Sequence, residues 1–215
     1  RIIARKGAVH GVVANSGNAN AWTGKRGIAD ADRMRELAEK KCSAEPNSFL
    51  VCSTGHIGIF LPMERLEGGI RTAAATRGIT DQHGLMASDS ILTTDTGRKV
   101  VTVQFPLGEE ILTVSGMAKG AGMIHPYMAT MLAFIATDAK VDQSLLQRTL
   151  ANTVSTSFNA ISVDGCMSTN DTVLLLANGC SGVAIDPSNE PFVDCFTTAV
   201  QHVCSALAEK IVCDG

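Results

Sequence analysis

The chain alternates between two hydrophobic periods, one close to that of a strand and one close to that of a helix. Residues 9 to 15 (VHGVVAN) form a short apolar run that predicts a buried strand entering a Gly/Asn loop. The loop, Asn15 to Gly24, is rich in side chains that bond to nearby backbone. Met34, Leu37, Ala38 and Cys42 then recur at helical spacing, which predicts a helix over 30–42 with Asp30 as its cap. Phe49 to Ser53 reads as a strand ending at Thr54-Gly55. Pro62 suits the first turn of a helix whose apolar face carries Leu66, Ile70 and Ala73/Ala74. Residues 100–105 and 110–115 predict a hairpin turning across Pro106-Leu107-Gly108. An apolar run follows over 131–136. Asp142 caps a helix bearing Leu145, Leu146, Leu150 and Val154, and 172–177 is a strand closed by Asn178-Gly179. From Pro191 onward, Phe192, Phe196, Val200, Val203, Leu207 and Ile211 form one stripe, the mark of a packed helix.

No repeat, low-complexity tract or linker interrupts this series, so residues 1–215 read as a single α/β unit. The chain opens on Arg-Ile-Ile-Ala-Arg and stops at Asp214-Gly215, which reads as the central fragment of a longer chain. A targeting segment ahead of Arg1 stays open. Hydrophobic residues at 45% and charged residues at 18% make the chain globular; aromatics at 4% leave its core to aliphatic side chains.

The net charge is −3, although the first fifty residues carry nine basic and five acidic side chains. No Lys/Arg run is interleaved with aromatics, so no nucleic-acid partner is expected. No apolar run approaches the length of a membrane span. Seven cysteines without a C-x-x-C pair, and no His at zinc-finger spacing, point to reduced thiols in a reducing compartment and to no metal.

Chemistry concentrates in Lys119 to Thr130 (KGAGMIHPYMAT). Gly116, Gly120 and Gly122 suit a backbone that turns or approaches something closely. Lys119 is the only Lys, Arg, Asp or Glu between Glu110 and Asp138. It reads either as an anion binder or as an ordinary surface lysine in a loop. Thr130, entering an apolar run, is by type a strand or cap residue. It becomes a nucleophile if the Ala129–Thr130 bond is cut, because the new α-amine is then a base on the same residue. Such an amine titrates at about 8 and is partly neutral at working pH. The small Ala129 leaves room for an N-to-O acyl shift. The chemistry also needs preset donors for an oxyanion. Ser53 to Gly58 (STGHIG), with a Thr hydroxyl and a Gly amide, could supply them or be a plain strand-to-helix turn. His56 is a weaker candidate for a general base. Thr93 to Thr96 (TTDT) and Ser168 to Thr172 (STNDT) suit either small-substrate contacts or Ser/Thr and Asx turns. No Ser/His/Asp triad spacing, Walker loop or H-E-x-x-H is present.

Five stretches, in order, resemble the ornithine acetyltransferase family, also called bifunctional glutamate N-acetyltransferase/amino-acid acetyltransferase, of arginine biosynthesis. They are NSGNANAWTG (15–24), STGHIGIFLPM (53–63), TTDT (93–96), AKGAGMIHPYMATML (118–132) and SFNAISVDGCMSTNDTVLLLANG (157–179). The resemblance implies an α/β sandwich of the self-cleaving ornithine acetyltransferase or Thr-nucleophile aminopeptidase type. It implies cleavage between Ala129 and Thr130, Thr130 as nucleophile, Thr54 and Gly55 as the oxyanion pair, and Thr93, Lys119 and Thr130 as substrate contacts. The implied reaction moves an acetyl group from N2-acetylornithine to glutamate through acetyl-Thr130, without a cofactor, and some members also accept acetyl-CoA as a co-substrate. The implied assembly is a heterotetramer of cleaved α and β chains. The implied location is the cytoplasm, or the mitochondrial matrix for a fungal source. Trp22, Ala160 and Cys166-Met167 depart from the residues frequent in the family. Two other readings remain beside the transferase: a Thr-nucleophile amidohydrolase or aminopeptidase of the same fold, and an inactive fragment.

Overall fold

The computed structural model describes residues 9–125, 131–166 and 168–215. Two compact units make up the chain, one running to Thr93 and the other covering Thr94–Gly215.

The first unit begins with β1 (Gly11–Asn18), α1 (Gly24–Cys42) and β2 (Phe49–His56), with β1 and β2 paired in parallel. α2 (Met63–Ala75) packs on α1, and α3 (Asp81–Ser90) follows. The core gathers Met34 and Ala38 of α1, Phe49 of β2, Leu61, and Ile70 of α2, so the predicted helical spacing is the buried face. Buried Glu39 ties α1 to the start of β2 by accepting from Ser48 N–H (2.9 Å) and Phe49 N–H (3.1 Å), with Arg35 Nη1 at 3.1 Å.

Several boundaries differ from the sequence expectation. α1 starts at Gly24 rather than at Asp30, which lies buried inside the helix beside Arg26 at 3.8 Å. The reason is local side-chain bonding, which hydrophobic periodicity does not show. Asn20 Nδ2 donates to Gly27 O at 2.9 Å and Thr23 Oγ1 donates to Asn20 Oδ1 at 2.8 Å, a clasp that organises the helix start before the apolar spacing begins. Both strands also outrun their predicted ends. Pairing of Asn15 to Asn18 with Ser53 to His56 keeps the polar Gly/Asn residues in the ladder. α3 has little amphipathic contrast, and the hydrophobic pattern predicts no helix there.

In the second unit, β3 (Lys99–Leu107), β4 (Glu110–Lys119), β5 (Leu132–Thr137) and β7 (Thr172–Ala177) form one sheet in the order β3-β4-β5-β7. The β3/β4 and β4/β5 pairs are antiparallel and β5/β7 is parallel. Two short strands, β6 (Lys140–Val141) and β8 (Ala184–Ile185), pair separately. α4 (Gln143–Ser155) and α5 (Glu190–Asp214) complete the unit. Asp142 caps α4 by accepting from Ser144 N–H (2.8 Å) and Leu145 N–H (3.4 Å), as expected. The predicted stripe of α5 is its packed face: Phe196, Val200, Val203, Leu207 and Ile211 are buried in one core with Leu112, Val114 and Ile135 of the sheet. α5 lies close at Gly116, where a Cβ would stand 2.8 Å from Val203 Cγ1.

The hairpin turn is displaced from the expected Pro106-Leu107-Gly108. Leu107 pairs with Glu110, so the turn is Gly108-Glu109 and Pro106 lies in β3 opposite Ile111. Pro is tolerated there because β3 is an edge strand, where one missing N–H need not break a ladder. β4 also runs four residues past its predicted end at Ser115, reaching Lys119. The mixture of helices and sheets is that of an α/β fold.

Candidate active site

Across the end of the second unit's sheet, Lys119 pairs with Leu132 and Leu132 with Thr172. Lys119 is therefore a strand terminus, only 1% exposed, and the surface-lysine alternative does not hold. Burial lowers the pKa of its ammonium, with nearby Lys99 adding to the effect; the carboxylates of Asp95 and Asp171 act in the opposite direction. An ammonium held in a poorly solvated place between acidic groups is a strong local donor for an incoming anion.

Asp171 stands at the start of β7. Its carboxylate accepts from Met131 N–H at 3.3 Å and from Ser168. Burial pushes its pKa up to about 7, against the pull of those bonds and of Lys119. Asp95, whose side chain is fully buried, accepts from Lys99 Nζ (2.7 Å) and from Gly120 N–H (2.6 Å). Lys99 Nζ also meets Asp214 Oδ2 at 2.5 Å, and Asp214 accepts from the N–H of Thr96 at 3.1 Å and from its hydroxyl. The hydrogen bond from Lys99, followed by that from Thr96, holds Asp214 below the usual carboxylate range. The last turn of α5 is thus bound to the start of β3 and to the backbone that leaves Lys119.

Lys99 is buried between the carboxylates of Asp95 and Asp214, so its loss removes the cation that pairs with both. Lys99→Met is expected to destabilise the second unit by about 3 kcal/mol at neutral pH. Asp214 has a lowered folded pKa, so its contribution is present above the ordinary carboxylate value and is lost as pH falls through the folded one. The deficit of the variant therefore shrinks in acid. Urea unfolding at neutral and acidic pH checks both points; an equal deficit at both would remove the ion network as its cause.

The segment after Lys119 is anchored again at Asp164. Its carboxylate accepts from Met123 N–H (2.6 Å), Ile124 N–H (3.0 Å) and Cys166 N–H (3.0 Å), and the bonds from Cys166 and Met123 lead in holding its pKa low. Gly120 adopts φ +146°, where its N–H reaches Asp95. Ala129 and Thr130 lie outside the described residues.

In the first unit, Thr54 is 2% exposed and sits inside β2, with Gly55 as the next residue. Gly55 has φ +128°, and a Cβ there would lie 2.2 Å from the carbonyl carbon of Gly17. The two strands meet backbone to backbone at that point. His56 Nδ1 lies 3.0 Å from Gly17 O, and His56 O accepts from Ala19 N–H at 2.9 Å. The ring therefore ties down the end of β1, since Nδ1 must donate to a carbonyl. Ser53 to His56 forms the end of β2, so of the two readings the sequence left open the plain turn does not hold there. Thr93 is exposed and closes this unit.

Among the cluster residues, Lys119 was legible as a lone charge in a Gly-rich stretch. Asp95, Thr96 and Asp171 stood inside the TTDT and STNDT clusters, with no signal marking the individual carboxylates. Lys99, Asp164 and Asp214 carry no local signal that shows their site role: Lys99 meets Asp214 across 115 residues of chain, and Asp164 reaches Met123 and Ile124 about forty residues back. All seven cysteines are free; Cys52 and Cys204 are buried, whereas Cys166, Cys180, Cys195 and Cys213 are exposed, so burial does not account for all of them. Among the described residues, no group of acidic, His or Cys side chains is arranged to hold a metal ion, and no helix is long and apolar enough to cross a membrane.

The ArgJ family model matches residues 1–215. A protein from Caldanaerobacter subterraneus, the arginine biosynthesis bifunctional protein ArgJ, is 46% identical over 99% of this chain and 52% of its own length. A Neurospora crassa counterpart, named as the mitochondrial ArgJ, is 45% identical over 100% of this chain and 46% of its own length. The chain thus spans about half the length of the curated relatives it matches. A crystal structure of ArgJ from Bacillus halodurans aligns with a TM-score of 0.50 and 42% identity, over 55% of this chain and 61% of that one. Ornithine acetyltransferase from Mycobacterium tuberculosis, crystallised with ornithine, aligns with a TM-score of 0.51 and 38% identity, over 54% and 61%.

Proposed function

The chain belongs to the ArgJ family, and on that premise we propose that it supplies the nucleophile, the oxyanion donors and part of the substrate site of a self-processing acetyltransferase. The supporting observation is Lys119: a buried ammonium at a strand end, flanked by Asp95 and Asp171, within the stretch that leads to Thr130.

In the first stage Thr130 Oγ attacks the carbonyl carbon of Ala129. The C–N bond breaks, the leaving nitrogen takes the proton that Oγ gives up, and an ester joins Ala129 to Thr130. Water hydrolyses that ester and leaves Thr130 with a free α-amine. In the second stage this amine takes the hydroxyl proton as Oγ attacks the acetyl carbon of N2-acetylornithine. The amine passes that proton to the leaving nitrogen, so ornithine departs as its free amine and acetyl-Thr130 remains. The neutral amine of glutamate then attacks the ester and carries the acetyl group away, returning the proton to Oγ. In each step the Thr54 hydroxyl and the Gly55 amide stabilise the negative oxygen. Lys119 and Thr93 contact the substrate, with the Lys119 ammonium facing its anionic group. The reaction needs no cofactor. Acetyl-CoA is a second donor wherever its thioester reaches the same Oγ. The cleaved α and β chains stay together as a heterotetramer, in the cytoplasm or, for a fungal source, in the mitochondrial matrix.

Intact mass spectrometry of the natural polypeptide tests the reading. Two chains are expected, the second beginning at Thr130 and gaining one acetyl mass with N2-acetylornithine. Glutamate should discharge the adduct as N2-acetylglutamate. Release of free acetate instead would make the protein a hydrolase, and an uncut polypeptide would remove the mechanism.

A further inference from the structure

Met131 is held on both sides by the beginning of β7. Its N–H donates to the Asp171 carboxylate at 3.3 Å, and its C=O accepts from Thr172 N–H at 3.1 Å. The N–H of Met131 belongs to the same planar peptide group as the carbonyl of Thr130. A bond to that N–H therefore acts on the residue that directly follows Thr130. The anchor is firm, because Met131 and Leu132 are 2% and 0% exposed, and β5 and β7 keep one parallel register from Leu132↔Thr172 onward.

Asp171 is a costly choice for a purely structural anchor. Its carboxylate is half-buried, and burial pushes its pKa up to about 7. An asparagine has the same shape and accepts the same bond without a buried charge. Groups that bear on it are Lys119 from β4 and Ser168 from its own loop; Asp95 and Lys99 stand around Lys119 in turn. A carboxylate retained in such a place, next to the residue that follows a nucleophile, fits a functional use.

We propose that Asp171 is a positioning residue for the proposed nucleophile: its carboxylate, bonded to Met131 N–H and within the field of Lys119, holds the residue that directly follows Thr130. The role rests on the self-cleavage reading given above. Nothing is transferred to or from Asp171 in the step; it acts through the backbone of Met131.

The test follows self-cleavage of the full natural polypeptide in cell-free translation, across a range of pH, for wild type, Asp171→Asn, Asp171→Ala and Thr130→Ala. No α-amine exists on Thr130 before cleavage, so its titration does not enter these rates. Asp171→Ala loses the acceptor and should cleave roughly 10- to 100-fold more slowly at every pH. Asp171→Asn keeps the acceptor and loses the charge. Its rate should match wild type in acid, where both side chains are neutral, and fall about tenfold below wild type once pH passes about 7.

Stability should move the other way. A carboxyl whose folded pKa is raised contributes stability that is full below its unfolded value and is lost as pH rises through about 7. Asp171→Asn should therefore melt higher than wild type above neutrality while cutting more slowly, a combination no merely structural role produces. Equal rates for Asp171→Asn and wild type at alkaline pH would overturn the assignment, as would slowing that tracks a loss of stability. If Asp171→Ala does not fold, the pH profile of Asp171→Asn decides alone. An uncut Thr130→Ala control keeps the self-cleavage reading intact whatever Asp171 shows; a cut one ends both.

Discussion

Alanine in place of Thr130 is expected to leave the polypeptide as one uncut chain and to reduce acetyl transfer by roughly 10⁴-fold or more. The size follows from the economy of the residue. In a serine triad the hydroxyl, the base and the orienting acid are three side chains. On the proposed mechanism the Thr130 hydroxyl attacks in both stages, and the base of the second stage is the amine that the first stage uncovers. One substitution removes all three events. Folding should be preserved, because a Thr→Ala change removes a hydroxyl and a methyl and adds nothing that must be accommodated. A thermal midpoint close to wild type, one mass instead of two, and no adduct with N2-acetylornithine make up the expected result. Thr130→Ser keeps both hydroxyl and amine, and should still cut and still become acetylated. A Thr130→Ala protein that divides into the same two fragments would assign the nucleophile elsewhere.

Gly55→Ala carries the second large effect. Gly55 lies at φ +128°, a region that an L side chain rarely adopts, and its added Cβ would fall 2.2 Å from Gly17 C and 2.4 Å from Gly17 O. Both contacts are backbone, so neither can swing aside. Strain and overlap together should cost the β1/β2 pair roughly 3 to 5 kcal/mol. Relief requires the strands to part at Gly17↔Gly55, which moves the Gly55 amide; if that amide is the proposed oxyanion donor, its loss costs about 10²- to 10³-fold in turnover. Hydrogen exchange of the β1 and β2 amides should rise near that pair, and the rate of acetylation of Thr130 should fall. Gly58→Ala is the matched control. Gly58 also has a positive φ, +81°, but its Cβ would meet nothing within 4 Å, so its cost should be about 1 kcal/mol. Equal penalties at the two glycines would show that close approach to β1 is not what requires Gly55.

Elements whose signals are local were legible in the chain. The stripe of α5, the Asp142 cap of α4 and the β-rich run of β7 closed by Asn178-Gly179 all encode their neighbours within a few residues, and the structure keeps them. The ends of elements set by a partner strand were not. The first unit's strands run through polar Gly/Asn sequence because β1 and β2 each supply the other's hydrogen bonds. β4 reaches Lys119 because β5 pairs with it there. Pro106 stays in a strand because β3 has an open edge.

The candidate site divides the same way. The sequence alone determined the motif stretches, the lone Lys119 in its Gly-rich segment, and the chemical logic by which a threonine exposed at a new N-terminus becomes its own base. Only the tertiary structure decided that Lys119 is buried, that Asp95 and Lys99 surround it with Asp171, and that Asp171 holds the backbone of Met131 forty residues before it in the chain. The physical reason is range. Periodicity, caps and turns act over a few residues, whereas burial, ion pairing and a shifted pKa depend on which strands become neighbours, and that is set by the register of the sheet.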